Sequence, residues 1–491
     1  MPKESREINP AGIRLSKKHS VPLYLQVYHQ FRNMIVSQRF RPGDRLPASR
    51  SLAKELGVSR VIVNQGYEQL ILEGYLVGKP GSGTFVADIL PDSLLNAAKT
   101  NGSATPAPGS EEEKTAYPSG RATSVLPFQA GISSLDSFPY KTWQTVGNNV
   151  LKNLKGYHLG YNDTFGHWPL RQAIAAYLRV SRAVACEAEQ VIVVTGSQQG
   201  LNLIAACLLQ KGDKVWMEDP GYPGAISAFL TAGVQLCPVP VEKDGLNIAQ
   251  AIKQFAGAKL AYVTPSHQFP FGYTLSQAKR LQLLKWAQQN ESWILEDDYD
   301  SEFRYEGNPL PSLQGLDTHK RVIYSGTFSK VLFPALRLAY LVLPSAEMAE
   351  GFRKVKNNLD RQSPLMEQLI VTAFMEGGYF LRHIRKMRLL YAGRQQLLIQ
   401  LLNEQLGDYL QPVISPSGMH LLCRLSGKID LVKFKQEIKK QRLVISFVSE
   451  YTLQHTLPPA VILGFTAFSK YKLKTGVEKL AACVHNALAA H

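Results

Sequence analysis

The segment RVIYSGTFSKVLFPALRLAYLVLP holds one lysine, Lys330, between two apolar runs, with Thr327 and Ser329 just before it and Arg337 seven residues beyond. A lone lysine is usually a surface charge. Set among apolar residues, its ammonium form is poorly solvated, its pKa falls, and the amine becomes suited to Schiff-base chemistry. Nearby hydroxyls and a guanidinium are the groups that hold a phosphate. A second segment, WILEDDYDSEF, runs from Trp293, Ile294 and Leu295 into Glu296, Asp297, Asp298, Tyr299 and Asp300. Carboxylates at the carboxyl end of a parallel strand lie where α/β sheets bind ligands. Taken alone, the same acids are also open to reading as a Mg²⁺ or Ca²⁺ site or as a solvated loop. In VIVVTGSQQGLNLIAACLL a β-branched run, a glycine turn and a helical pattern put Ser197 and Gln198 at a helix start able to take an anion. No GK[ST] follows, so it is not a Walker A loop. EDPGYPG sets Tyr222 in a Gly/Pro loop. Lysine, phosphate donors and a strand-end aspartate are the parts that pyridoxal phosphate requires, the aspartate pairing with the pyridinium nitrogen.

These groups need a large α/β scaffold, and the chain has room for more than that. At 491 residues it exceeds the roughly 250–300 residues at which single cores stop growing. Composition is globular, with 45% hydrophobic residues. Residues 89–126 break the pattern: they are rich in Pro, Gly, Ser and Thr with Tyr117 the sole aromatic, which reads as a flexible tether. The expected division is therefore residues 1–88, a linker 89–126, and residues 127–491, whose large domain runs over about 160–380 with a small domain from the flanking segments. Net charge is +16, of which the first 88 residues hold +6 (13 Lys and Arg against 7 Asp and Glu). Such an excess points to nucleic acid, an anionic membrane or anionic ligands. No apolar run approaches the ~20 residues of a membrane span, and MPKESREINP lacks the apolar core of a secretory leader. The five cysteines are scattered with no CxxC, so neither a disulfide scaffold nor a cysteine zinc site is expected, and a reducing cytoplasm fits.

PASRSLAKELGVSRVIVNQGYEQLILEGYL reads as helix, turn, helix. Leu52 and Leu56 form one apolar stripe; Val63, Tyr67, Leu70 and Ile71 are expected to pack inward from the second helix. Gly57 supplies the turn and Ser59 stands at the N-cap, its hydroxyl placed to accept a backbone N–H. Arg60 and Asn64 share the other face one turn apart, suited to base edges in a major groove. GYLVGKPGSGTFVAD then reads as two short strands, a winged helix-turn-helix in which Lys79, Ser82 and Thr84 can meet phosphate or minor groove. The plainer alternative is a small helical interaction domain.

Over PGDRLPASRSLAKELGVSR and EGYLVGKPGSGTFV this module resembles the GntR family of bacterial repressors, which implies DNA contacts from Arg50, Ser59, Arg60 and Asn64. Val61 and Ile62 stand where that family often has threonine. Residues from about 127 onward resemble fold-type I aminotransferases, and YVTPSHQFPFG, EDDYDSEFRY and GTFSKVLFPALRLAY resemble the MocR subfamily, which fuses the two modules. That resemblance implies a mainly α winged helix-turn-helix domain followed by an α/β PLP domain. It also implies that Lys330 carries the cofactor as the internal Schiff base, Asp297 pairs with the ring nitrogen and Tyr299 with the phenolic oxygen. Ser197, Gln198, Thr327, Ser329 and Arg337 would surround the phosphate, Tyr222 would stack on the ring, and Tyr161 would reach the phosphate of a neighbouring subunit. No metal is implied. Two departures from aminotransferases stand out. Phe269-Pro270-Phe271-Gly272 replaces NPTG, and Val461 and Ile462 occupy the place of the arginine that grips a substrate carboxylate, leaving Arg424 or Arg442 as substitutes.

The expected function is a DNA-binding transcription regulator whose PLP domain senses a small amine, an amino acid or PLP itself, as a homodimer with readers swapped across the linker. In that reading enzymatic turnover is at most partial. The alternatives are a working aminotransferase with an appended DNA module and a constitutive scaffold that uses the cofactor only for stability.

Overall fold

The computed structural model describes residues 12–16, 21–37, 39–79, 81–88, 125–307 and 310–488. Apart from residues 125 and 126, the expected linker lies outside the described residues. The chain divides into two compact units, Met1–Thr115 and Ala116–His491.

In the first unit, α1 (Leu23–Val36), α2 (Ser49–Leu56) and α3 (Arg60–Leu72) precede β1 (Leu76–Lys79) and β2 (Gly83–Val86). Val27, Phe31 and Ile35 of α1, Leu52 of α2, and Val63, Tyr67 and Leu70 of α3 are buried together, each such side chain contributing about 1.5–3 kcal/mol on leaving water. Ile71 does not join them: it is 40% exposed. The 3.6-residue period explains this, because residues 63, 67 and 70 share one face and 64, 68 and 71 the next. Leu56 is only half-buried. Gly57 ends α2 at φ 64°, a left-handed conformation natural to glycine. β1 and β2 pair antiparallel, Leu76 opposite Val86. The chain before α2 pairs with β2 as well, through Leu46 N to Thr84 O at 2.8 Å and Val86 N to Asp44 O at 2.9 Å.

The second unit is built on an eight-stranded sheet in the order β3 (Val191–Val194), β10 (Ala339–Val342), β9 (Val322–Thr327), β8 (Trp293–Asp298), β7 (Leu260–Val263), β4 (Lys214–Asp219), β5 (Gln235–Glu242), β6 (Gly245–Leu246). β4, β5, β7, β8 and β9 run parallel; β10 is antiparallel to both its neighbours. The central strands are largely apolar and buried on both faces, as expected where helices cover a parallel sheet, with the acids of β4 and β8 at their carboxyl ends. Val191, Val193, Tyr340 and Val342 pack into one layer, and Ile192, Val194, Ala339 and Leu341 into the other. A second sheet, β11 (Leu410–Val413), β12 (His420–Leu425), β14 (Ala460–Gly464) and β13 (Ser446–Phe447), is antiparallel and is covered by the helices Tyr379–Leu406 and Lys470–Asn486. Residues 127–134 connect the two layers. Gly464 N donates to Phe128 O at 2.8 Å, Thr466 Oγ1 to Ile132 O at 2.6 Å, and Ser133 Oγ to Leu332 O at 2.9 Å. No helix among the described residues is long and apolar enough to cross a membrane.

Gly66 sits where α1 crosses α3. A Cβ there would stand 2.9 Å from Val27 Cγ1 and 3.2 Å from the Tyr24 carbonyl. Gly66→Ala is therefore expected to destabilise the N-terminal unit by about 1–3 kcal/mol through overpacking, read as a lower urea midpoint; an unchanged midpoint would contradict this packing.

Candidate functional site

Lys330 lies on the one-turn helix Phe328–Val331 that follows β9 directly. Its Nζ donates to the Gly131 carbonyl at 2.8 Å. Burial pushes the amine below the usual lysine range, and the Asp300 and Asp297 carboxylates pull it partly back. Asp297, on β8 next to β9, is buried; its Oδ2 accepts from the Tyr262 hydroxyl at 2.7 Å, while Oδ1 has no partner. Burial raises its pKa to about 6, against the lowering effect of Tyr262. Tyr299, just past β8, donates from its hydroxyl to the His267 carbonyl at 3.0 Å. Burial, with Asp300 and Asp297 close by, raises this phenol well above its ordinary value.

The expected phosphate shell gathers at the ends of β3 and β9, two strands with β10 between them. Thr327 caps the lysine helix by accepting from Ser329 N at 3.1 Å. The Ser329 hydroxyl is buried without a partner. Ser197 opens the helix Ser197–Leu208 behind Gly196, whose φ is 122°; a Cβ on Gly196 would lie 3.1 Å from an Arg337 Nη, so the Arg337 guanidinium stands beside that helix start. Gln198 Nε2 donates to Gly224 O at 3.0 Å. It thereby ties the same turn to the head of the helix Pro223–Thr231, where Tyr222 occupies the N-cap position. The Tyr222 ring meets Phe269 edge-on at 6.1 Å. Tyr161 is 79% exposed, and the Arg361 guanidinium lies 3.9 Å over its ring. Sequence reasoning assigned no role to the Gly131 carbonyl, Tyr262, His267 or Asp300. Tyr262 and His267 stood in YVTPSHQFPFG and Asp300 in EDDYDSEFRY, without a role read from them, while Gly131 arrives from a distant segment with no local signal. Ile462 is buried in an apolar cluster with Leu422 and Val448, while Arg424 and Arg442 are exposed.

On the first unit, Arg50 is exposed in the first turn of α2, and Ser59 and Arg60 are exposed at the start of α3. Ser59 is the N-cap residue as expected, but its hydroxyl makes no capping bond. The turn is held instead by its carbonyl, which accepts from Ile62 N at 3.1 Å. Arg60 Nε donates to Ser49 Oγ at 3.2 Å, laying the guanidinium toward α2. Asn64 lines a groove of about 440 Å³ with Arg45, Ser49, Glu68, Ile71 and Thr84. On the wing, Lys79 and Ser82 are exposed, and Lys79 Nζ lies 5.0 Å over the Phe85 ring.

Fold and site thus define a winged helix-turn-helix module joined to an aminotransferase-type domain. Residues 131–461 match the family described as aminotransferase class I and II, and residues 23–86 match the bacterial regulatory proteins of the gntR family. Over 95% of this chain and 94% of the other, the sequence is 36% identical to the probable rhizopine catabolism regulatory protein MocR of Rhizobium meliloti. It is 29% identical to the pyridoxine biosynthesis transcriptional regulator PdxR of Corynebacterium glutamicum, over 97% of this chain and 98% of that one. Among solved structures, the Pyrococcus horikoshii kynurenine aminotransferase, crystallised with PMP, superposes with a TM-score of 0.69 at 26% identity over 75% of this chain and 93% of that chain. The chain belongs to the MocR type of GntR-family proteins, a GntR helix-turn-helix domain followed by a class I and II aminotransferase domain.

Asp297 yields a pH test. Its folded pKa of about 6 lies above the ordinary 3.8, so its contribution to stability is present below about pH 4 and is lost as pH rises through 6. Asp297→Asn keeps an acceptor for Tyr262 and removes the buried charge. In cofactor-free protein it is expected to gain stability over wild type progressively between pH 4 and pH 7, reaching on the order of 3 kcal/mol. Denaturant midpoints across that range check it, and a pH-independent difference would contradict it.

Proposed function

We propose that this protein is a DNA-binding transcription regulator whose aminotransferase-like domain holds pyridoxal phosphate and senses a small amine, an amino acid or PLP itself. The residues present fit the cofactor. The unpartnered Asp297 Oδ1 and Ser329 Oγ are buried acceptor and donor groups that lack a protein partner, and buried polar atoms of this kind call for one. Asp297 would hold the ring nitrogen, Tyr299 the phenolic oxygen, and Tyr222 one ring face. Ser197, Gln198, Thr327, Ser329 and Arg337 would hold the phosphate. When bound, the cofactor supplies an aldehyde that a primary amine can attack and an electron-withdrawing ring. Lys330, its amine depressed by burial, would hold the cofactor through that aldehyde, and an effector amine would compete for the same group. An effector that favours one of two domain arrangements would shift DNA affinity by its differential binding.

On the reader, Arg50, Ser59, Arg60 and Asn64 would face the major groove, and Lys79, Ser82 and Thr84 the backbone or minor groove of double-stranded DNA. We take residues 1–88 as the reader, 89–126 as tether and 127–491 as the sensing unit. Exposed Tyr157, Leu159 and Tyr161 support a homodimer in which this strip is covered and Tyr161 reaches the partner's phosphate site. Readers swapped across the tether would then meet two half-sites. The cytoplasm, where the DNA and the cofactor are, is the proposed location. The observation that carries the reading is the convergence of Lys330, Asp297 and Tyr299 in a chain that also carries an intact GntR reader.

Visible absorption with added PLP tests the sensing half: wild type gains a band that candidate amines shift and that Lys330→Ala loses. A wild type without a band contradicts it. Multiple turnovers with an amino donor and a 2-oxo acid would instead favour an enzyme. For the reader, Arg50→Ala and Arg60→Ala are each expected to weaken binding to the protein's own upstream DNA and to reduce the slope of log affinity against log salt by about one. Equal slopes in titrations from low to high salt would contradict the assigned contacts.

A further inference from the structure

His267 and Asp300 have no part in the reading above, yet they are 2% and 1% exposed in the wall of the same site. His267 Nδ1 lies 3.1 Å from the Tyr299 hydroxyl in hydrogen-bonding geometry. It lies 3.0 Å from Asp300 Oδ2, an oxygen that accepts no hydrogen bond. The Nδ1–H therefore points at the tyrosine, with the carboxylate beside that bond rather than at its end. A negative charge next to Nδ1 favours the proton there over Nε2, and neutral imidazole carries only one. Gly418 and Gly272 pack directly on the ring: a Cβ on Gly418 would overlap it and one on Gly272 would stand 2.9 Å from Nε2. In this structure the phenol gives its own proton to the His267 carbonyl; because its oxygen accepts from Nδ1, that proton stays on Tyr299 and can be redirected to another acceptor in the site.

The other charged groups near this cluster are accounted for. Asp297, Asp298 and Glu218 act on Tyr299 together with Asp300. Asp300 and Asp297 act on Lys330. His420, from β12, has its ring 5.2 Å from His267; burial, with His267 and Lys330 near, lowers it to about 3, which keeps it neutral.

We propose that His267 and Asp300 are positioning residues: Asp300 holds His267 as its Nδ1–H tautomer, and that N–H fixes Tyr299 as a hydrogen-bond donor toward the cofactor's ring oxygen. The inference rests on the pyridoxal phosphate reading, and two arms separate their failures. In full-length protein loaded with PLP, the pH midpoint of the visible band reports the proton on the Lys330 nitrogen. A donor on the ring oxygen stabilises the deprotonated form, so His267→Gln and Tyr299→Phe each raise the midpoint, by about half a unit or more, and the double variant moves it no further than Tyr299→Phe alone. An unmoved midpoint in His267→Gln, or additive shifts in the double variant, overturns the proposal while the cofactor reading stands. In cofactor-free protein, side-chain ¹⁵N shifts of His267 are expected to report Nδ1–H in wild type and to move toward Nε2–H in Asp300→Asn. A wild-type Nε2–H overturns the pairing whatever the cofactor result.

Discussion

Four carboxylates in five residues must be buried at the end of β8, and the site is organised by how each is accommodated. A buried charge without partners is untenable. Pleating sends Glu296 and Asp298 to one face of the strand and Asp297 to the other. Glu296 accepts from Leu313 N and Gln314 N at 2.9 and 3.0 Å. Asp298 Oδ2 takes the Arg182 guanidinium at 2.8 Å, the Tyr324 hydroxyl at 2.6 Å and the Ser301 hydroxyl at 2.8 Å. These two are structural: they bind the strand to its surroundings with charge-assisted bonds. Asp297 Oδ2 receives Tyr262, and Asp300 Oδ2 lies beside His267 without accepting a hydrogen bond. These two are the acids whose charge acts on Lys330, so the acids differ in role because their neighbours differ.

The lysine is held from the opposite side by a segment with no regular structure of its own. Residues 127–134 bond to β14 through Phe128, to the helix Tyr379–Leu406 through Ser134 N and the Tyr391 hydroxyl at 2.8 Å, and to the turn after Lys330 through Ser133. Gly131 lies in the middle with φ 74°, and a Cβ there would come 2.7 Å from Lys330 Nζ. Glycine is required on both counts. Burial lowers the pKa of this amine and the Asp300 and Asp297 carboxylates oppose it, while the Gly131 carbonyl fixes where the nitrogen sits.

Much of this was legible in sequence. The α/β domain, the winged reader, the lysine motif and the strand-end aspartate are carried by local patterns: apolar runs, a glycine turn, hydroxyls at fixed offsets. What escaped depends on contacts between segments far apart in sequence. Tyr262 meets Asp297 across 35 positions, Gly131 meets Lys330 across 199, and His267 meets Tyr299 across 32. Ile71 was misjudged for a different reason: next to Leu70 in an apolar stretch, it falls one helical step past the buried stripe. The Ser59 hydroxyl has the right place for a cap but not the bond, since the same turn is closed by its carbonyl.

The charge excess also changes meaning once positions are known. In the second unit, Arg171, Arg182, Arg280, Lys356 and Arg394 are buried. Arg280 donates to the carbonyls of Leu275, Pro311 and Pro265, and Arg171 to those of Ala188 and Glu189, so these cations serve as internal struts. The reader differs. Among its described residues every lysine and arginine is exposed except Arg32, which is half-buried and donates to the Tyr75 hydroxyl at 2.9 Å. A small unit whose described lysines and arginines lie at the surface but for Arg32, with Arg50 and Arg60 at adjacent helix starts, has the electrostatics to track a phosphate backbone. The larger unit, with a greater total charge, uses part of it to hold its own loops together.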